Sequence, residues 1–186
     1  MRRTRRNQPS LENTKIMGTL ESITKYEHLG PEFLMWLWHH GLKNDGKFNV
    51  EGCEELEVRL GEQMVLEGEM GNASRVQMKG EMPAQSSEFH TALQENKTPQ
   101  KVKLLMKIDG ADWALTLDSR KWSLGGIKIP VPGAMFFEEA CSLRLNQFER
   151  FSQVFLALFD QFLALRFDAR KWNRIVKTIK TDLTDS

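Results

Sequence analysis

The chain has 186 residues, with 26 Lys/Arg against 25 Asp/Glu, a net charge of +1 and two cysteines. That length suits a single core able to bury roughly two-thirds of the unfolded surface, and the charge balance excludes a protein that is basic throughout. Cys53 and Cys141 stand at no CxxC or Cys/His ligand spacing, and no apolar run approaches the ~18 residues of a membrane span.

Both cysteines therefore read as reduced, buried thiols. A cytoplasmic location is expected, because Met1 to Arg6 lead into polar sequence rather than the apolar core of a signal peptide. The near-zero net charge hides an asymmetry. Arg2, Arg3, Arg5 and Arg6 crowd one end, Arg170, Lys171, Arg174, Lys177 and Lys180 the other, and the stretch between is net acidic. An acidic body with basic ends fits local contact with phosphates.

Residues 1–27 are polar with sparse apolar positions and are expected to form a flexible basic arm. Residues 28–186 are expected to form one α+β domain. Gly30 to Gly41 predict a helix, with Pro31 in the first turn, Glu32 complementing the positive end and Gly41 as the stop. At about 100° per residue, Trp36 and Trp38 project roughly 200° apart. Such a helix is either wedged between two layers or meets a partner.

From Phe48 to about Ile129 the period changes to two. Leu56, Val58 and Leu60 alternate with charged residues, and so do Val76 and Met78. Val102, Leu104, Met106 and Ile108 alternate with Lys101, Lys103 and Lys107, then Asp109-Gly110 supplies a hairpin turn into a strand burying Trp113, Leu115 and Leu117. Short turns and polar outer positions predict a largely antiparallel sheet with one covered face. Between the strand groups, Ala84 to Glu95 predict a short docking helix through Phe89, Ala92 and Leu93, with Asn96 as a left-handed stop.

Gly125-Gly126 reads as a bulge or tight bend. Met135 to Arg166 lacks Gly and Pro, and Phe148, Phe151, Phe155, Leu158, Phe159 and Phe162 recur at helical spacing, so one long helix is expected. Asp168 then caps a last helix. Trp172, Ile175, Val176, Ile179 and Leu183 share one side of it; Arg170, Arg174, Lys177 and Lys180 occupy the other.

Catalytic chemistry has little support in these residues. His39 and His40 are adjacent and diverge on a helix, unlike the i, i+4 pair that shares a zinc ion. Glu54-Glu55 and Glu138-Glu139 diverge in the same way, and no GxSxG or phosphate-cradling glycine loop occurs. Binding chemistry has more. The last helix presents a row of cations that can follow a phosphate backbone or simply stand as a solvated face. Lys101, Lys103 and Lys107 make a second row, for which edge protection and solubility are the competing reading. The Arg-rich arm is a third candidate.

His28-Leu29-Gly30-Pro31-Glu32-Phe33-Leu34-Met35-Trp36-Leu37-Trp38 resembles the segment "LG-x-EFL-x-WLW" of a divergent branch of the RdgC (recombination-associated protein) family. Glu88 to Pro99 is similar to that branch's "E-x-x-x-AL-x-x-GK-x-P", with Asn96 where Gly is usual. Ile127 to Pro130 and Phe159 to Arg166 followed by Trp172 are similar to two further pieces in the same order. The match covers the family's C-terminal portion only, so a complete DNA-encircling assembly is not implied. What the resemblance implies is non-enzymatic, sequence-independent DNA binding in recombination or replication, with self-association. It carries over no catalytic residue.

The expectation is an α+β fold, its largely antiparallel sheet covered by a Trp-rich helix and long C-terminal helices. The expected partner is double-stranded DNA, contacted by Arg170, Arg174, Lys177, Lys180, Arg2, Arg3, Arg5 and Arg6, alongside a homodimer. No cofactor, metal, membrane or small-molecule substrate is expected. The alternative is a protein-interaction or self-assembly module without direct DNA binding, using the Trp36/Trp38 helix or the Phe-rich helix.

Overall fold

A computed structural model describes residues 28–68, 74–130 and 136–184. The elements run α1 (Leu29–Lys43), β1 (Lys47–Phe48), β2 (Leu56–Glu67), β3 (Arg75–Lys79), a 3₁₀ turn (Pro83–Gln85), α2 (Ser87–Gln94), β4 (Thr98–Ile108), β5 (Ala111–Asp118), β6 (Ser123–Lys128), α3 (Phe137–Phe167) and α4 (Ala169–Thr184). The fold is α+β. The six strands form one sheet in the order β1-β2-β4-β5-β6, with β3 also on β2, and every pairing is antiparallel.

Alternation decides which face of the sheet is covered. Val102, Leu104, Met106 and Ile108 of β4 and Trp113, Leu115 and Leu117 of β5 are buried on one face, while Lys101 and Leu105 are exposed on the other. The β4–β5 hairpin closes on Asp109 (φ 49°) and Gly110 (φ 81°), the two left-handed residues that a twisted two-residue turn requires. The register of β5 with β6 shifts between Ala114 and Thr116, where Gly126 adopts φ 58°. The glycine pair is thus a bulge.

The α1 helix is the wedge. Trp36 and Trp38 are only 3% and 4% exposed. Trp36 packs on Phe48 and Phe162, whereas Trp38 packs on Phe89 and donates its indole N–H to the Ala84 carbonyl at 3.2 Å. Both tryptophans are used inside the domain rather than presented as a surface. Gly41 does not stop α1. The helix continues to Lys43 and unwinds through Asp45 and Gly46, both at positive φ; Gly41 stays helical because the chain turns four residues later.

The docking helix is shorter than its apolar pattern, running from Ser87 with Ser86 accepting the Phe89 N–H as N-cap. Asn96 at φ 61° ends the segment as expected. In α3 the apolar stripe meets two environments. Phe151, Val154, Leu158 and Phe162 are buried, but the fourteen residues from Phe137 to Arg150 include none that is, and Phe137 is 81% exposed and Leu145 67%. Among the described residues, nothing buries the apolar positions of that first half. The cysteines also depart from the expected burial: Cys141 is exposed on this half and Cys53 is half-buried.

Candidate nucleic-acid interface

The local sequence sets α4 up as a two-sided element. Asp168 Oδ1 accepts the backbone N–H groups of Arg170 and Lys171, both at 3.1 Å, which satisfies two donors that open a helix. Hydrogen bonding from the Lys171 backbone, followed by the charge of Lys171, holds the Asp168 carboxyl below its usual range. The packed side carries Trp172, Ile179 and Leu183. Trp172 stands edge-on to Phe162, and the Arg166 guanidinium lies 5.4 Å from the Trp172 ring centre while pairing with Glu32. At the far end the Gln94 amide donates to the Leu183 carbonyl at 2.7 Å.

Arg170, Arg174, Lys177 and Lys180 are all exposed on the opposite side. The helical rise spreads them over about 15 Å. Among the described residues, no carboxylate lies within ion-pair distance of Arg170, Arg174 or Lys177, while Lys171 sits 3.5 Å from Asp168. Arg2, Arg3, Arg5 and Arg6 lie outside the described residues.

The cations of the sheet have different surroundings. Lys103 pairs with Glu62 at 3.0 Å and Lys107 with Glu55 at 3.4 Å. The Lys103 hydrogen bond holds the Glu62 carboxyl below its usual range. Two of the three lysines in the second predicted row are therefore paired with carboxylates.

A feature not visible in the sequence lies on the uncovered face. Arg75 of β3, Lys101 and Lys103 of β4 and Lys121 of the β5–β6 turn surround a hollow of about 540 Å³, bordered by the open backbone of Gly125 and Gly126. Each of these cations occupies an ordinary outer position. Only the non-local register brings them together.

The titratable groups considered as catalytic candidates are engaged elsewhere. His39 Nε2 lies 2.9 Å from Asp182, and burial followed by the charge of His39 pushes His40 below the usual imidazole range. Burial, then the hydrogen bond to Asp109, pushes the Cys53 thiol up, away from thiolate chemistry. Among the described residues, no group of three or more His, Cys, Asp or Glu is placed to hold a metal ion, and no helix is long and apolar enough to cross a membrane. No protein-family model and no curated protein sequence matches this chain.

Proposed function

We propose that this chain is a non-enzymatic, sequence-independent DNA-binding protein that grips the duplex backbone through Arg170, Arg174, Lys177 and Lys180, acting in recombination or replication as its resemblance to the RdgC family implies. The observation that carries this reading is the contrast between cationic surfaces. The sheet's Lys103 and Lys107 are neutralised by glutamates, whereas Arg170, Arg174 and Lys177 keep their charge unpaired along one exposed helix face. Unpaired cations in a row are what counterion release from a phosphate backbone rewards. Arg2, Arg3, Arg5 and Arg6 would add to the same term.

The test is duplex affinity measured by fluorescence anisotropy between about 50 and 200 mM salt, for wild type and for the triple variant Arg170→Glu/Arg174→Glu/Lys177→Glu. The variant is expected to bind far more weakly, with a log–log salt slope flatter by about 3, one per lost phosphate contact. Equal affinities, or negligible wild-type binding at the lowest salt, would sink the reading.

One observation favours the second reading, self-association or docking of a protein partner. Phe137, Leu145 and Phe148 stand exposed along the first half of α3, and large apolar side chains left exposed on one helix are what a partner buries.

A further inference from the structure

We propose that the hollow on the uncovered face of the sheet is a binding site for a small polyphosphorylated ligand, a compound carrying two or more linked phosphates. Its volume of about 540 Å³ falls in the range of small-molecule sites, roughly 300–1,000 Å³, and is far too small for a duplex to enter. Four cations from three separate parts of the chain, Arg75, Lys101, Lys103 and Lys121, converge on it; Glu67 and Glu62 pair with Arg75 and Lys103, and Asp118 is the lining carboxylate among the described residues.

Arg75 and Lys103 are held at the rim by Glu67 at 3.7 Å and Glu62 at 3.0 Å, which offset their charge, so the anion-binding charge of the site falls on Lys101 and Lys121. Asp118 is the direct cross-strand neighbour of Lys101, and its Oδ1 accepts the Lys121 backbone N–H at 3.2 Å, which fixes the turn carrying the fourth cation. Lys101 and Lys121 have no carboxylate within ion-pair distance among the described residues, so their charge is available to a phosphate. Fixing donors in advance lowers the entropy lost on binding.

The remaining lining specifies what kind of anion fits. Gln77, Thr116 and Ser123 add neutral hydrogen-bonding groups. At Gly125 and Gly126 a Cβ would meet nothing within 4 Å, so the backbone at the β6 bulge is open to a ligand. Among the described residues, no aromatic side chain lines the hollow. Recognition therefore falls on phosphate charge and hydroxyls rather than on base stacking. None of the α4 cations belongs to this lining, so the site stands independently of the proposed duplex interface.

Isothermal titration calorimetry with sodium tripolyphosphate tests the site, using wild type, Lys101→Gln/Lys121→Gln, and the α4 variant Arg170→Glu/Arg174→Glu/Lys177→Glu. Saturable one-to-one binding is expected in wild type and in the α4 variant, weakened about tenfold or more in the double lysine variant. A nucleoside triphosphate is the second arm: equal affinity assigns recognition to the phosphates alone, and tighter binding assigns a share to the organic part. The proposal is overturned if millimolar tripolyphosphate gives no saturable binding, if Lys101→Gln/Lys121→Gln binds as well as wild type with an unchanged circular dichroism spectrum, or if the α4 variant loses binding. Lys101→Arg/Lys121→Arg, which keeps both charges, is expected to retain it.

Discussion

His39 Nε2 and Asp182 Oδ2 lie 2.9 Å apart, joining the C-terminal parts of α1 and α4 across 143 residues of sequence. Lys43 reaches the same oxygen at 2.9 Å. The pairing anchors the end of the helix whose other side carries the basic stripe. It also makes the α1–α4 contact sensitive to acid.

Hydrogen bonding from Lys43, and then from His39, holds the Asp182 carboxyl below its usual range. A carboxyl with a lowered folded pKa contributes stability that is fully present above its unfolded value, about 3.9, and is lost as pH falls through the folded value. Asp182→Asn is therefore expected to lower the urea midpoint at about pH 6, with the gap from wild type closing toward about pH 2. Midpoints measured across that window check this; a gap that stays constant with pH would refute the electrostatic account.

Gly30 leaves no room for a side chain. A Cβ built there would lie 2.2 Å from the Ser119 carbonyl oxygen, a backbone atom that cannot swing aside. Alanine gains at most about 1 kcal/mol of helix propensity over glycine, while forcing a methyl into a packed contact costs about 1–3 kcal/mol. Gly30→Ala should lose stability on balance, read as a reduced urea midpoint. A raised midpoint would show that α1 and Ser119 are not in this close contact.

Phe33 is 0% exposed and touches five other aromatic rings, those of Trp36, Trp122, Phe155, Phe159 and Phe162. Phe33→Ala is expected to cost about 3–5 kcal/mol through lost transfer energy and a residual cavity. Tryptophan fluorescence should change as well, since Trp36 and Trp122 lie 6.0 and 6.4 Å away. A loss below about 1 kcal/mol would mean the cluster collapses around the gap.

Local chemistry was legible in the sequence wherever one residue settles one conformation. Asp168 as a cap, Asn96 as a left-handed stop and Asp109-Gly110 as a turn all follow from what those side chains do to their own backbone. Pairings between distant strands were not legible. Glu62 pairs with Lys103 through a β2–β4 register that shifts between Leu60 and Met64, and Glu55, just ahead of β2, pairs with Lys107. Alternation assigns such residues to a face, yet it does not say which neighbour they meet. The same limit hid the hollow around Lys101 and Lys121. For the α4 stripe, the sequence supplied the residues and their shared side, whereas the lack of a carboxylate within ion-pair distance of Arg170, Arg174 and Lys177 among the described residues had to come from the fold. The two halves of α3 were also indistinguishable, because large apolar residues run through both, from Phe137 and Leu145 to Phe151 and Phe162, and only burial separates them.

Asp109 is the point where α3 changes environment. Its carboxylate accepts the Glu54 backbone N–H at 2.9 Å on one side and the Arg150 Nε–H at 3.0 Å on the other. Arg150 is the last residue of the uncovered half of α3, and Phe151 the first that is buried. The hairpin tip thus works as a clasp across the helix. Ahead of it, turns can fray and re-form without disturbing the core; behind it, losing a turn means uncovering Phe151 and breaking the hairpin's hold on the β1–β2 loop. One helix therefore belongs to two cooperative units, and the boundary between them is set by a turn aspartate rather than by any break in the helix itself.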